Sequence, residues 1–378
     1  MRIEELIRAE VMDMVGYTPI EPLDILSKQT KVSTDNIVKL DGNENLYGCS
    51  PKVNVALGKY PYFNIYPDPE QRVLRLALEK YTGFNSQQIV CGSGSDDLID
   101  LILRLFINPG DKVINCPPTF GMYPFSTRIC GGEVINISRD RDFNLDIRGI
   151  IKAMDDRTKV IFLASPNNPT GNCVSIEEIT ELLDTEKIVV VDEAYVDFSN
   201  NSMAGMIFKY NNMIVLRTFS KWAGLAGLRI GYGLFPTEIV RYLMKIKQPY
   251  NANVAAQTAV LASLEDIEYL RNNITKIIIE RERLFSKLKE IQWLNTYPSS
   301  ANFILCSVQK DANIVVNGSS ELNKGPLARQ VWYQMRMKGV FIRYFDTPGL
   351  ENFIRITVGR PEDTDRVVKA LTEVVKNV

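Results

Sequence analysis

Lys221 and Arg229 stand eight residues apart in LRTFSKWAGLAGLRIGYG, among glycines and small apolar residues. Cations in such company call for an anionic partner, because an unpaired charge taken out of water is costly. A buried lysine loses its proton readily and can condense with an aldehyde. Arginine stays charged and forks onto phosphate oxygens. Three other clusters carry complementary chemistry. CGSGSDDLI leads through Gly92, Ser93, Gly94 and Ser95 from a strand into a helix, where a glycine turn offers N–H groups to a phosphate; taken alone it is also a plain tight turn with a serine cap. Asp96 and Asp97 suit the dipole of that helix, but must point away from any dianion. ASPNNPTG, residues 164–171, holds two asparagines in a proline-stiffened turn, which by itself is equally an Asx turn. In VVVDEAYVDF, Asp192 ends an apolar strand and Tyr195 follows three residues later. A buried aspartate wants a cationic partner, which a salt bridge inside the protein would also supply.

Together these residues form one device. The glycine-turn amides, Ser220 and Arg229 suit a phosphate, Lys221 suits an aldehyde, and Asp192 suits a pyridinium nitrogen, while Asn168 and Tyr195 suit a phenolate oxygen. Those are the protein groups that pyridoxal 5'-phosphate needs. The chain has no histidine, which excludes Ser-His triads, histidine metal sites and histidine acid–base work. The Lys221 amine, freed when a substrate amine takes its place, is then the group to carry a proton at the substrate carbon. No metal is called for.

Something must hold these residues in place. With 378 residues, 45% hydrophobic and 24% charged, the chain has ample material for a core. Its net charge of −1 provides no overall field for nucleic acid or an acidic membrane. From about residue 86 to 235, short apolar runs (QQIVCG, DKVINC, EVINIS, KVIFLAS, KIVVVD, MIVLRTF, LRIGYGLF) alternate with helical patterns (SDDLIDLILRLF, NLDIRGIIKAM, SIEEITELLD). That alternation predicts an α/β domain with a mostly parallel central sheet flanked by helices. Ser175 and Glu178 are spaced as a capping box. An apolar stripe from Leu264 to Ile291 predicts one long helix leading into a smaller α+β domain, with strands near NFILCSV, GVFIRYF and FIRITVG. The expected layout is an N-terminal helical arm at 1–40, a large cofactor-binding domain at 41–260 and a small domain at 261–378. Residues 311–326 read as a loop or insertion. The opening MRIEELIRAEVMDM is amphipathic and carries both charges, as an arm that docks on a surface rather than a secretion signal. No apolar run reaches 18 residues, so no membrane span is expected. Six scattered cysteines without a CxxC pair suggest reduced thiols. The expected compartment is the cytoplasm, or an organelle if a leader is removed.

The ordered series SPNNPTG, DEAYVDF and TFSKWAGLAGLRIGYG resembles the fold-type I pyridoxal-phosphate aminotransferases. With YTPIEPLD, LDGNENLYG, NIYPDPE, CPPTFGMY and FIRITVG, the chain is similar to the histidinol-phosphate aminotransferase family, over nearly its whole length. The resemblance implies the fold-type I architecture and a homodimer with shared active sites. It also implies exchange of an amino group between histidinol phosphate and 2-oxoglutarate, in histidine biosynthesis. It gives Gly94, Ser95 and Asp96 the phosphate-turn positions, Phe120 the ring that stacks on the cofactor, and Tyr66 the reach to the neighbouring subunit's cofactor phosphate. Lys221, Asp192 and Tyr195 take the catalytic positions; Tyr17, Asn43, Arg343 and Arg355 take those of substrate recognition. Gly16, where the family often has proline, and the bulky Trp222 depart from the pattern. The same scaffold would also suit an aromatic amino-acid aminotransferase or a threonine-phosphate decarboxylase, since a guanidinium fork accepts carboxylate and phosphate alike. A cofactor-binding regulator would need a DNA-binding module, for which residues 1–40 are too short and too little basic.

Overall fold

Runs such as VIFLA and IVVVD are apolar at every position, so the strands they form need cover on both faces. A computed structural model of the chain pairs them in parallel in the middle of a seven-stranded sheet. It describes residues 2–374 except 13, 17, 311, 313 and 315–324. Tyr17 and most of the 311–326 stretch thus lie outside the described residues. The chain divides into two units, the first made of Met1–Thr18, Gly48–Asn168 and Cys173–Leu270, the second of Pro19–Tyr47, Pro169–Asn172 and Arg271–Val378. In chain order the strands are β1 (Val38–Leu40), β2 (Ile89–Gly92), β3 (Lys112–Asn115), β4 (Glu133–Asn136), β5 (Thr158–Ala164), β6 (Ile188–Asp192), β7 (Met213–Thr218), β8 (Gly231–Leu234), β9 (Leu294–Thr296), β10 (Phe303–Val308), β11 (Val340–Tyr344) and β12 (Phe353–Thr357).

In the first unit the strand order is β2-β8-β7-β6-β5-β3-β4. β8 runs antiparallel to both its neighbours and the other pairings are parallel. The carboxyl ends of β2, β5, β6 and β7 therefore lie along one edge, the edge where open α/β sheets bind ligands. The helix Ser95–Phe106 buries Leu98, Ile99, Leu101, Ile102 and Leu103 in a core shared with Val160, Phe162, Val190, Ile214 and Leu216. Each such side chain contributes roughly 1.5–3 kcal/mol by leaving water. Helix Ile176–Leu183 starts with both bonds of the Ser175–Glu178 capping box.

The second unit holds a five-stranded sheet in the order β1-β11-β12-β10-β9. Residues 19–40, part of the arm expected to pack on the small domain, fall within this unit, where β1 pairs in parallel with β11; the unit resumes at Arg271, against an expected domain start at 261. The long helix expected from Leu264 to Ile291 runs Ile267–Lys289, after a separate helix Val254–Leu264. The chain turns at Glu265 and Asp266, where the Asp266 carboxylate accepts a hydrogen bond from Ser50 and pairs with Lys52 at 3.4 Å. Those partners come from more than 200 residues away, so the periodic stripe ran on across a break it could not register. Among the described residues no helix is long and apolar enough to cross a membrane.

Candidate active site

Asp192 sits at the end of β6 with only 5% of its surface exposed. Its Oδ2 accepts a hydrogen bond from the Tyr123 hydroxyl at 2.8 Å, and its Oδ1 accepts one from the Ala194 N–H at 3.0 Å. Burial pushes the carboxyl up to about 6 against the pull of those two bonds. A carboxylate so desolvated gains most from a cation placed beside it. Tyr123 was missed as a site residue, although it lies in the CPPTFGMY motif and a buried tyrosine hydroxyl generally finds a partner. Its ring stacks on Phe162 at 4.8 Å and meets the edge of Phe120 at 5.6 Å. Burial and the neighbouring Asp192 hold the phenol well above its usual range, so it stays a donor.

The lysine segment follows β7. Tyr195 is buried, and the Lys221 Nζ lies 5.9 Å from the centre of its ring. The Ser220 hydroxyl accepts a bond from Thr218 Oγ1 at 2.9 Å. Trp222, bulky for its position, is 1% exposed, stacks on Tyr81 at 5.6 Å and leans on Phe219. It is a packing anchor that fixes the backbone next to Lys221. Arg229 adopts φ +51° and pairs with Asp96 at 3.1 Å. Loss of surrounding water pushes the Asp96 carboxyl up, while the charges of Arg229 and Lys221 pull it down.

The phosphate turn joins β2 to the helix at Ser95. Gly94 has φ +81°, and a Cβ there would lie 2.7 Å from Arg229 Nη2. A Cβ on Gly231 would lie 2.7 Å from the Ser95 nitrogen. The glycines thus leave a side-chain-free cradle between a guanidinium and the first N–H groups of a helix, which have no acceptor within it. Asp97 turns back, its Oδ2 accepting the Ser93 N–H at 2.9 Å, while Asp96 pairs with the Arg229 guanidinium beside the cradle. On the next loops, Phe120 packs against the core, and Asn167 accepts from Thr119 at 2.7 Å and donates to the Pro118 carbonyl at 2.9 Å, beside the half-buried Asn168. Cradle, lysine, buried acid and phenol fit pyridoxal phosphate as a donor set. Tyr66 belongs to the same unit but is 78% exposed; it stacks on Tyr250 at 4.5 Å beside a cleft of about 290 Å³.

The second unit holds three more of the expected residues, Asn43, Arg343 and Arg355. Arg343 on β11 and Arg355 on β12 are direct cross-strand partners, so their side chains share one face. Both lie near the Phe345 ring, at 5.9 and 5.8 Å, and Arg355, only 6% exposed, also lies 5.2 Å from Phe303 and donates to the Asp41 carbonyl at 2.7 Å. Asn43 has φ +53° and is buried. Its N–H donates to Thr357 Oγ1 at 3.0 Å, its side chain accepts from that hydroxyl at 3.1 Å, and its carbonyl accepts from Asn302 at 3.0 Å.

The family model described as aminotransferase class I and II matches residues 35–371. A histidinol-phosphate aminotransferase of Dehalococcoides mccartyi strain CBDB1 is 47% identical, covering 98% of both chains. The chloroplastic histidinol-phosphate aminotransferase of Nicotiana tabacum is 44% identical, over 97% of this chain and 86% of its own. Among solved structures, histidinol-phosphate aminotransferase from Sinorhizobium meliloti in complex with pyridoxal-5'-phosphate superposes with a TM-score of 0.85 at 25% identity, covering 97% of each chain. With the family model matched from residue 35 to 371 and relatives alike along their whole length, the chain belongs to the class I and II aminotransferases.

Proposed function

We propose that this aminotransferase interconverts histidinol phosphate and 2-oxoglutarate with imidazole acetol phosphate and glutamate, in the histidine-forming direction. The observation that carries it is the full-length likeness to relatives named for that reaction. The cross-strand pair Arg343–Arg355 adds two guanidiniums on one face, a pairing suited to a substrate phosphate.

Bound pyridoxal phosphate supplies an aldehyde that takes the substrate amine and a ring that accepts the electron pair freed at the substrate carbon. Lys221 would hold that aldehyde through Nζ and, once displaced, would take onto its free amine the proton that leaves the substrate carbon. Asp192, with Tyr123 donating to Oδ2, keeps a proton on the ring nitrogen. Tyr195 and Asn168 orient the ring oxygen, and Ser220, Arg229 and the Gly94–Asp96 amides bind the phosphate. Phe120 would stack on the ring. Asn43, Arg343, Arg355 and Tyr17 recognise the substrate. The assembly in this reading is a homodimer in which Tyr66 serves the neighbouring subunit's site. We place the enzyme in the cytoplasm, or in an organelle after removal of a leader, as the bacterial and chloroplast relatives suggest.

The test is a half-reaction screen that follows the cofactor absorbance as histidinol phosphate, glutamate, phenylalanine and threonine phosphate are added singly, with carbon dioxide measured alongside. Histidinol phosphate and glutamate should convert the cofactor without gas release. Arg343→Met should weaken histidinol phosphate by about 10-fold or more, the worth of a charge-assisted bond, and glutamate by less. Faster conversion by phenylalanine, or carbon dioxide from threonine phosphate, would overturn the substrate assignment.

A further inference from the structure

The turn that cradles the phosphate rests on side chains assigned no role above. Gln71, 2% exposed and at φ +55°, bonds the main chain of Cys91 in both directions: its Nε2 donates to the carbonyl and its Oε1 accepts the N–H, each at 3.0 Å. The same Nε2 donates to Asn251 Oδ1 at 2.8 Å. Asn251 Nδ2 in turn donates to the Cys91 carbonyl at 3.0 Å and to Asp97 Oδ2 at 2.8 Å. That Asp97 oxygen also accepts the Ser93 N–H at 2.9 Å. One continuous set of bonds therefore runs from Gln71 through Asn251 and Asp97 to the residues on either side of Gly92, where β2 ends and the cradle starts.

We propose that Gln71, Asn251 and Asp97 are positioning residues for the phosphate end of the cofactor, holding the Ser93–Ser95 turn in its anion-binding form before the cofactor arrives. The inference rests on the pyridoxal-phosphate reading and extends it. Asp97 answers a question of charge: a carboxylate in the first turn of a phosphate-binding helix would repel the ligand, yet here it is spent on a main-chain N–H and an amide. A turn held this way binds an anion without first having to order itself, which is where preorganisation gains affinity. The set also reaches the turn that carries Tyr66. Asp68 fixes that turn by accepting the Glu70 and Arg72 N–H groups, each at 3.0 Å, and Gln71 projects inward from it.

The effect should be confined to the phosphate. The test compares the affinity of cofactor-free protein for pyridoxal 5'-phosphate and for pyridoxal, which lacks the ester, in wild type, Asp97→Ala, Asp97→Asn and Asn251→Ala. Melting of each cofactor-free protein serves as the check on folding. Wild type should strongly prefer the phosphorylated form; if it shows no preference, the cofactor reading itself fails, separately from this one. Asp97→Ala and Asn251→Ala should lose about 10-fold or more of that preference, as expected when a bond to a charged group is removed, with pyridoxal affinity nearly unchanged. Asp97→Asn keeps an acceptor for Ser93 and should retain most of it. Should an alanine variant fold poorly, amide exchange at Ser93 in cofactor-free wild type still decides: slow exchange is expected of a turn held before the cofactor arrives, and exchange at the open-chain rate would overturn the proposal. Equal loss of both ligands in the folded alanine variants, or an unchanged preference, would overturn the proposal.

Discussion

Asp192 is a carboxylate that the fold holds at a loss until a cation meets it. Burial raises it to about 6, against an ordinary value near ~4. Between those two values the folded chain keeps a proton that the unfolded chain gives up, so stability is greatest below the window and falls as pH rises through it. Above pH 6 the full burden remains, on the order of 2–3 kcal/mol. Asp192→Asn removes it; the amide oxygen still accepts the Ala194 N–H, and the NH2 donates to the Tyr123 hydroxyl oxygen, reversing that bond. The cofactor-free variant should therefore melt higher than cofactor-free wild type at pH 7.5, with the gap closing toward pH 4, and it should lose most of its turnover. Identical melting of the two proteins at pH 7.5 would show that the carboxylate carries no such burden. Stability given up at the reacting group is the usual trade in an active site.

At the scale of elements, the parallel strands have to keep Asp192 and Lys221 in register, and a buried ion pair between β7 and the residue after Asp192 does this. Glu193 follows Asp192, and its side chain is 0% exposed; Arg217 lies on β7, pairs with it at 2.9 Å and also donates from Nε at 3.0 Å. Ser202 and the Met203 N–H complete the carboxylate's partners. Removing one member of such a pair leaves the other charge stranded, at a cost of about 3–5 kcal/mol. Arg217→Met should lose stability on that scale in urea unfolding at pH 7.5, and adding Glu193→Leu should recover part of it. A loss below about 0.5 kcal/mol, the level of ordinary surface changes, would mean the pair does not hold β6 to β7. Elements like these were readable in advance because local chemistry dictated them: IVVVD must be a buried strand, and Ser175 with Glu178 must cap a helix. The residues proposed for the cofactor could be named for the same reason, each being marked by residue type beside a strand end. Tyr123 acts on a residue 69 positions away and Asn251 on one 154 positions away, and no local pattern encodes such pairs. The break at Asp266 escaped notice on the same ground.

For the whole molecule the open question is whether one chain makes a complete site. Tyr62, Phe63, Ile65 and Tyr66 are 56–78% exposed in a single run of sequence, with Val73 at 63% and Leu76 at 52% on the next helix. Exposed apolar surface on that scale is typical of a protein–protein contact, and a second copy is the occupant expected here. If Tyr66 serves the neighbouring site, Tyr66→Phe and Lys221→Ala injure the two halves of different sites. A heterodimer of the two variants then has one site lacking both groups and one site intact, with Lys221 from one subunit and Tyr66 from the other. Random re-pairing of equal amounts makes half the dimers mixed, so about a quarter of the wild-type sites should return, given two-fold symmetry. The measurement is turnover after mixing and re-association, with mixed dimers verified by mass. No recovery in verified heterodimers would mean that each chain completes its own site, and that the aromatic run around Tyr66 serves contact alone.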